Sequence, residues 1–93
     1  MYSLRPDGAV LRELGDPQRY QAKVARQLLL KILELTLNPR PQDCKAIGSG
    51  YRVDSGEYRI YYEVDDAHQV IDVLLVGKRG DDEIYRRLKR KFK

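Results

Sequence analysis

The sequence predicts a single α+β domain over 1–93, of order β-α-α-β-β-β-α. Two N-terminal helices pack on one face of a mostly antiparallel four-stranded sheet, and a short basic C-terminal helix closes the chain. Three observations carry this prediction. Apolar residues recur with a helical period up to Leu37 and alternate with a period of two from Tyr51 onward. Between the two halves, Asn38-Pro39-Arg40-Pro41 stops a helix, because each proline lacks an amide donor and restricts the residue before it. The alternating half then ends at Gly77, ahead of a segment crowded with lysine and arginine.

The elements follow in order. Tyr2-Ser3-Leu4 reads as a brief strand. Pro6-Asp7 opens a short helix containing Val10, Leu11 and Leu14, ended by Gly15. Asp16-Pro17 supplies a capping carboxylate and a proline at the first helical position, so the second helix is predicted from there to Leu37. Val24, Leu28, Ile32 and Leu35 form its apolar stripe, widened by Ala25, Leu29 and Leu33. Lys23, Arg26, Gln27, Lys31 and Glu34 take the other side, which Leu30 and Leu37 interrupt. These two leucines either pack under the first helix or meet a partner. Residues 42–50 read as a loop. Tyr51 to Asp54 and Glu57 to Val64 read as strands joined by Ser55-Gly56, a two-residue hairpin turn. Asp65-Asp66-Ala67-His68 makes the next turn, and Gln69 to Val76 is a strand apolar enough to be covered on both faces. Gly77-Lys78-Arg79-Gly80 breaks that strand before the basic helix.

Composition narrows the function classes. A chain of 93 residues buries about 60–65% of its unfolded surface, so the core is thin. Its 42% hydrophobic and 34% charged content fits a globular protein. No apolar run approaches the roughly 20 residues of a membrane span, and Met1 to Pro6 lacks the basic and apolar blocks of a secretory signal. The lone Cys44 excludes an internal disulfide, and a cytoplasmic location is expected. The net charge of +4 is concentrated at one end: Arg86, Arg87, Lys89, Arg90, Lys91 and Lys93 lie in the last eight residues, while the remaining 85 hold 12 basic and 14 acidic side chains. Such a tail either complements a helix dipole, with Asp81, Asp82 and Glu83 at the acidic start, or attracts nucleic acid or an acidic partner.

Strand alternation locates the candidate chemistry. Tyr58, Ile60, Tyr62 and Val64 face the helices, leaving Arg59, Tyr61 and Glu63 on the open side. A turn at Ser55-Gly56 sets Val53 opposite Tyr58 and Arg52 opposite Arg59. Two arginines so placed need an anion between them: a carboxylate such as Asp54 or Glu63, or a phosphate, to which the guanidinium fork is matched. Lys78 and Arg79 add charge at the end of the next strand, and Tyr85 follows one turn into the last helix. Amid these cations Tyr85 serves as an acid/base group or as a platform for stacking a base. His68, the sole histidine, is expected in a solvated turn, and Cys44 is expected to be inert. No cysteine–histidine cluster and no phosphate-cradling glycine loop occurs, so neither metal nor cofactor is expected.

At these residues the chain resembles the RelE/ParE superfamily of bacterial toxins, within it the RelE branch. The resemblance runs through Leu37-Asn38-Pro39, Tyr51-Arg52-Val53, Gly56 to Val64, Val76-Gly77-Lys78-Arg79 and Ile84-Tyr85. It implies a ribosome-dependent endoribonuclease that cuts mRNA in the A site without metal. A ribose 2′-OH attacks the adjacent phosphate, leaving a 2′,3′-cyclic phosphate and a 5′-OH. It implies a small RelB-like antitoxin as partner, with ribosome and mRNA as targets and a toxin–antitoxin complex that binds its own operator. The same fold in ParE-like relatives implies an alternative, non-enzymatic inhibition of DNA gyrase. Matched residue by residue, Arg52 is a catalytic basic position, Arg59 holds the scissile phosphate, Arg79 stabilises or protonates the leaving oxygen, and Tyr85 stacks on or orients the substrate. Lys78, Arg86, Arg87 and Arg90 are expected to bind substrate. The C-terminal helix is expected to move when antitoxin displaces it. Two departures stand out: Gly50 replaces a lysine proposed as general base, and Asp54 lies where many relatives carry a basic residue.

Overall fold

The computed structural model describes residues 1–80 and 83–91; Asp81, Asp82 and Lys93, which entered the charge argument, lie outside them. Strand β1 (Ser3–Pro6) leads into helix α1 (Gly8–Leu14) and helix α2 (Ala22–Leu37), followed by β2 (Lys45–Ile47), β3 (Gly50–Ser55), β4 (Tyr58–Asp65), β5 (Val70–Lys78) and α3 (Glu83–Lys91). The α+β class and the element order hold, with one strand more than predicted. Lys45–Ile47 falls within the expected loop and pairs antiparallel with β3, giving a five-stranded mixed sheet of order β1-β5-β4-β3-β2. Three residues with no apolar alternation carry no strand signal of their own; the ladder to β3 makes them one. β1 pairs with β5 in parallel.

Local chemistry accounts for the helix boundaries. The Asp7 carboxylate accepts from the Ala9 amide and caps α1. Asp16 was expected to cap α2 and does not: its carboxylate accepts from the Gln18 amide, its carbonyl from Arg19 and Tyr20, and α2 starts at Ala22. The intervening turn carries Tyr20 inward, where its ring meets Tyr58 edge-on at 5.2 Å. At the other end of α2, the buried Tyr62 hydroxyl donates to the Pro39 carbonyl at 2.7 Å and pins the proline-rich connection to the sheet.

One face of the sheet meets α1 and α2. Val10, Leu14, Tyr20, Leu28, Ile32, Leu35, Val53, Ile60, Tyr62, Ile71, Val73 and Val76 form this core. The predicted stripe on α2 is right in phase but too wide. Leu29, Leu30, Leu33 and Leu37 are all exposed, as is Leu11 on α1, so packing under the first helix is excluded for Leu30 and Leu37. The sheet and the seven-residue α1 cover one stripe of α2 and leave these leucines outside it.

The opposite face is not open. Tyr61, Leu75 and Ile84 bury one another, joined by Ile47, Leu74 and Leu88, so α3 lies across the face that strand alternation left to solvent. A register shift in β5, which pairs Tyr61 with Leu75 and Tyr62 with Val73, leaves Leu74 unpaired as a bulge. The bulge lets β5 send Val73 and Val76 to the larger core and Leu75 to the smaller one. The readable signal for α3 was Ile84 and Leu88, four apart on a helix and therefore on one side.

Candidate active site

The β3–β4 hairpin sets the site. Its turn is Gly56-Glu57, one residue later than predicted, and Ser55 pairs with Tyr58. Gly56 carries φ +60°, the left-handed value that a primed hairpin turn requires at its first loop position. Arg52 therefore lies opposite Tyr61, and Asp54 opposite Arg59. Moving the turn by one residue shifts each partner by two, which preserves parity. Arg52 and Arg59 stay on the same face, with Asp54 now between them.

Asp54 is the centre of the cluster. Its Oδ1 accepts from Arg59 Nε at 3.0 Å and lies 3.6 Å from an Arg52 terminal nitrogen, while its Oδ2 lies 3.5 Å from Arg79 Nε. The Arg52 and Arg59 side chains are 14% and 16% exposed, against 50% for Arg79 and 34% for Asp54, so the first two are held and the last two face solvent. Arg79 is fastened to the hairpin turn: its guanidinium donates to the Gly56 carbonyl at 3.1 Å and its amide to the Glu57 carbonyl at 2.9 Å. Three cations from β3, β4 and the end of β5 thus converge on one carboxylate.

Tyr85 belongs to the same site. The Arg59 guanidinium lies 5.9 Å from its ring centre, within cation–π range. Two clefts are lined by these residues. One, of about 500 Å³, is lined by Glu57, Arg59, Lys78, Arg79 and Gly80. The other, of about 520 Å³, runs past Ile47, Gly48, Ser49, Tyr61, Tyr85, Leu88 and Lys89. The first is cationic and suits an anion; the second has an apolar, aromatic floor and suits a flat ring.

The remaining predicted residues divide. Lys78 lines the first cleft, while Arg86 and Arg90 are exposed on α3. Arg87 is committed to the fold instead. β1 stops opposite Val73, so β5 beyond it has a free edge, and Arg87 donates to the Val76 carbonyl there at 2.7 Å. The same guanidinium makes a bidentate pair with Glu13 of α1 at 3.1 and 2.7 Å, tying the two helical layers together round the sheet edge. Nothing in the sequence links position 87 to position 13.

Gly50 is a steric requirement. A Cβ there would run into the Tyr62 carbonyl oxygen and come within 2.9 Å of the Tyr61 hydroxyl, so a lysine at this position requires the strand to move. Nearby, Glu63 accepts from the Ser49 and Tyr61 hydroxyls rather than entering the arginine cluster. His68 pairs with Asp65 in an exposed turn far from the site, as expected. Among the described residues no three His, Cys, Asp or Glu side chains group as a metal site, and no helix is long and apolar enough to cross a membrane.

The chain is similar to known toxins in sequence and in fold. The family described as ParE toxin of the type II toxin–antitoxin system parDE matches residues 8–83. The mRNA interferase toxin RelE of Escherichia coli (strain K12) is 33% identical over 78 residues, which are 80% of this chain and 82% of the relative. A doubly substituted form of the E. coli RelE toxin, solved in the free state, superposes with a TM-score of 0.75 at 29% identity, covering 99% of this chain and 98% of that one. The toxin in the intact E. coli RelBE toxin–antitoxin complex gives a TM-score of 0.69 at 30% identity, over 84% of this chain and 96% of that one.

Proposed function

We propose that this chain, which belongs to the RelE/ParE superfamily of type II toxin–antitoxin toxins, is an endoribonuclease that cleaves mRNA in the ribosomal A site. The observation that carries the reading is the convergence of Arg52, Arg59 and Arg79, from three separate elements, beside the Tyr85 ring. In the proposed reaction the ribose 2′-oxygen attacks the adjacent phosphorus and the P–O5′ bond breaks. The 2′-OH loses its proton, the 5′-oxygen gains one, and a 2′,3′-cyclic phosphate and a 5′-OH result. Negative charge builds on the phosphoryl oxygens in between, and preorganised cations aimed at that charge are commonly the largest catalytic term. Arg59 holds the scissile phosphate, Arg52 flanks it, and Arg79, the most exposed of the three, meets the leaving oxygen. Tyr85 presents its ring to a base across the second cleft. With Gly50 in place of a lysine and Arg52 a guanidinium cation with no acceptor, the proton of the 2′-OH is left to Tyr85, so the site is better equipped to stabilise charge than to remove a proton.

The partners follow from the same reading. A RelB-like antitoxin neutralises the toxin in the cytoplasm, and the complex binds its own operator. The exposed leucines of α1 and α2 (Leu11, Leu29, Leu30, Leu33 and Leu37) offer the antitoxin an apolar surface. Arg86, Arg90 and Lys78 meet ribosomal or messenger RNA.

Purified protein added to ribosomes programmed with mRNA is the test. Primer extension is expected to show cuts within the A-site codon, and none with Arg79→Ala. Intact mRNA with the unaltered, folded protein rejects the reading. The match of residues 8–83 to the ParE family favours one second reading, a non-enzymatic inhibitor of DNA gyrase. A supercoiling assay separates the two, because only that reading predicts inhibition.

A further inference from the structure

We propose that Asp54 is a built-in competitor for the substrate phosphate. Its carboxylate occupies the anion seat between Arg52, Arg59 and Arg79 and must give way when RNA binds. The inference rests on the reading of those arginines as a phosphate site, and it concerns a position where the resemblance leads one to expect a basic residue.

The geometry supports competition over a purely structural role. Asp54 is the one acid in contact with the three arginines among the described residues: Glu63 is taken by Ser49 and Tyr61, and Glu83 by Arg19. Its two oxygens span the cluster much as two non-bridging phosphate oxygens would, and the same guanidinium forks match either anion. The fit is incomplete, however. Arg59 alone is within hydrogen-bonding distance, at 3.0 Å, while Arg52 and Arg79 stand off at 3.6 and 3.5 Å. A phosphate, with more acceptor oxygens, engages the donors that the carboxylate leaves unused. Asp54 is also one-third exposed and one residue from the end of β3, so side-chain rotation takes the carboxylate into solvent without moving the sheet. Without RNA it offsets the mutual repulsion of three cations; with RNA bound it adds a like charge beside the phosphate.

The experiment is a titration of the intact protein with inorganic phosphate at fixed low ionic strength, following the arginine Nε–H signals by NMR. Three proteins are compared: the unaltered chain, Asp54→Asn and Arg59→Ala. Asp54→Asn keeps shape and an acceptor for Arg59 but loses the charge, and is expected to bind phosphate about tenfold more tightly, a factor worth about 1.4 kcal/mol. Arg59→Ala is expected to lose binding. Asp54→Asn that binds no more tightly, while Arg59→Ala loses binding, overturns the competitor and leaves the phosphate site standing. Arg59→Ala that binds as well as the unaltered chain removes the site itself, and the competitor with it. Thermal melts establish that each variant is folded, and Asp54→Ser replaces Asp54→Asn if the latter is not.

Discussion

The two faces of the sheet are built from the same strands and are held very differently. Toward α1 and α2, thirteen buried apolar side chains from five elements and the turn before α2 interlock. Toward α3, among the described residues, the buried cluster is Tyr61, Leu75 and Ile84, and the same face carries Arg52, Asp54 and Arg59. Residue alternation makes this division available to any strand, since neighbours point to opposite sides. The lesson is that one layer pays for the fold and the other is thereby free to gather like charges. In the thin second layer α3, with Tyr85 on it, is held by Ile84, Leu88 and the contacts of Arg87.

The contrast can be broken from either side. The largest effect is expected on the first face: Leu28→Ala empties a fully buried position and should cost about 3–5 kcal/mol in urea unfolding. On the second face, Arg59→Ala should lower cleavage on programmed ribosomes by about a hundred- to a thousandfold, as loss of one preorganised donor does elsewhere. Its effect on unfolding should be far smaller than that of Leu28→Ala; comparable losses of stability would erase the contrast. Ile84→Ala should cost about 2–3 kcal/mol, but locally. Hydrogen exchange is expected to show α3 amides losing protection while those of β4 keep theirs. Arg87→Met removes the clamp on Glu13 and Val76 and should cost about 1 kcal/mol, discounted because the pair is partly exposed.

The smallest effect lies at the far end of the sheet. Arg40 pairs with Asp66, which also accepts from the Tyr2 hydroxyl, and these contacts hold the Asp66 carboxyl below the usual aspartate range. A carboxyl depressed in the folded state contributes stability at neutral pH, and that contribution is lost as pH falls through the depressed value. In Arg40→Gln, an NMR titration should find Asp66 titrating at higher pH than in the unaltered chain. An unchanged midpoint would show that Arg40 is not the cause.

Much of the fold was legible because its signals are local. The helical period of α2, the opening of α1 at Pro6-Asp7 and the proline stop after Leu37 each act within one element, and the structure keeps all three. The misplaced start of α2 shows the limit: Asp16-Pro17 is a sound cap, but burying Tyr20 against Tyr58 takes the turn for itself. The width of the α2 stripe failed for a related reason, since burial of Leu29 and Leu33 depends on what the sheet and α1 cover. The arginine pair on β3 and β4 survived a wrong turn position because parity, not register, decides the face.

By itself, then, the sequence determined which residues alternate, where helices stop and which side chains carry charge, because short-range sterics and periodicity decide these. It also carried the family pattern around Arg52, Arg59, Arg79 and Tyr85. Only the tertiary structure decided what those charges meet. Asp54 faces three arginines because a glycine with positive φ places the turn at Gly56-Glu57 and a strand end brings Arg79 onto it. Arg87 leaves the expected RNA-binding set because β1 is too short to cover the edge of β5. Contacts between residues far apart in the chain arise from packing, and a period along the chain cannot encode them.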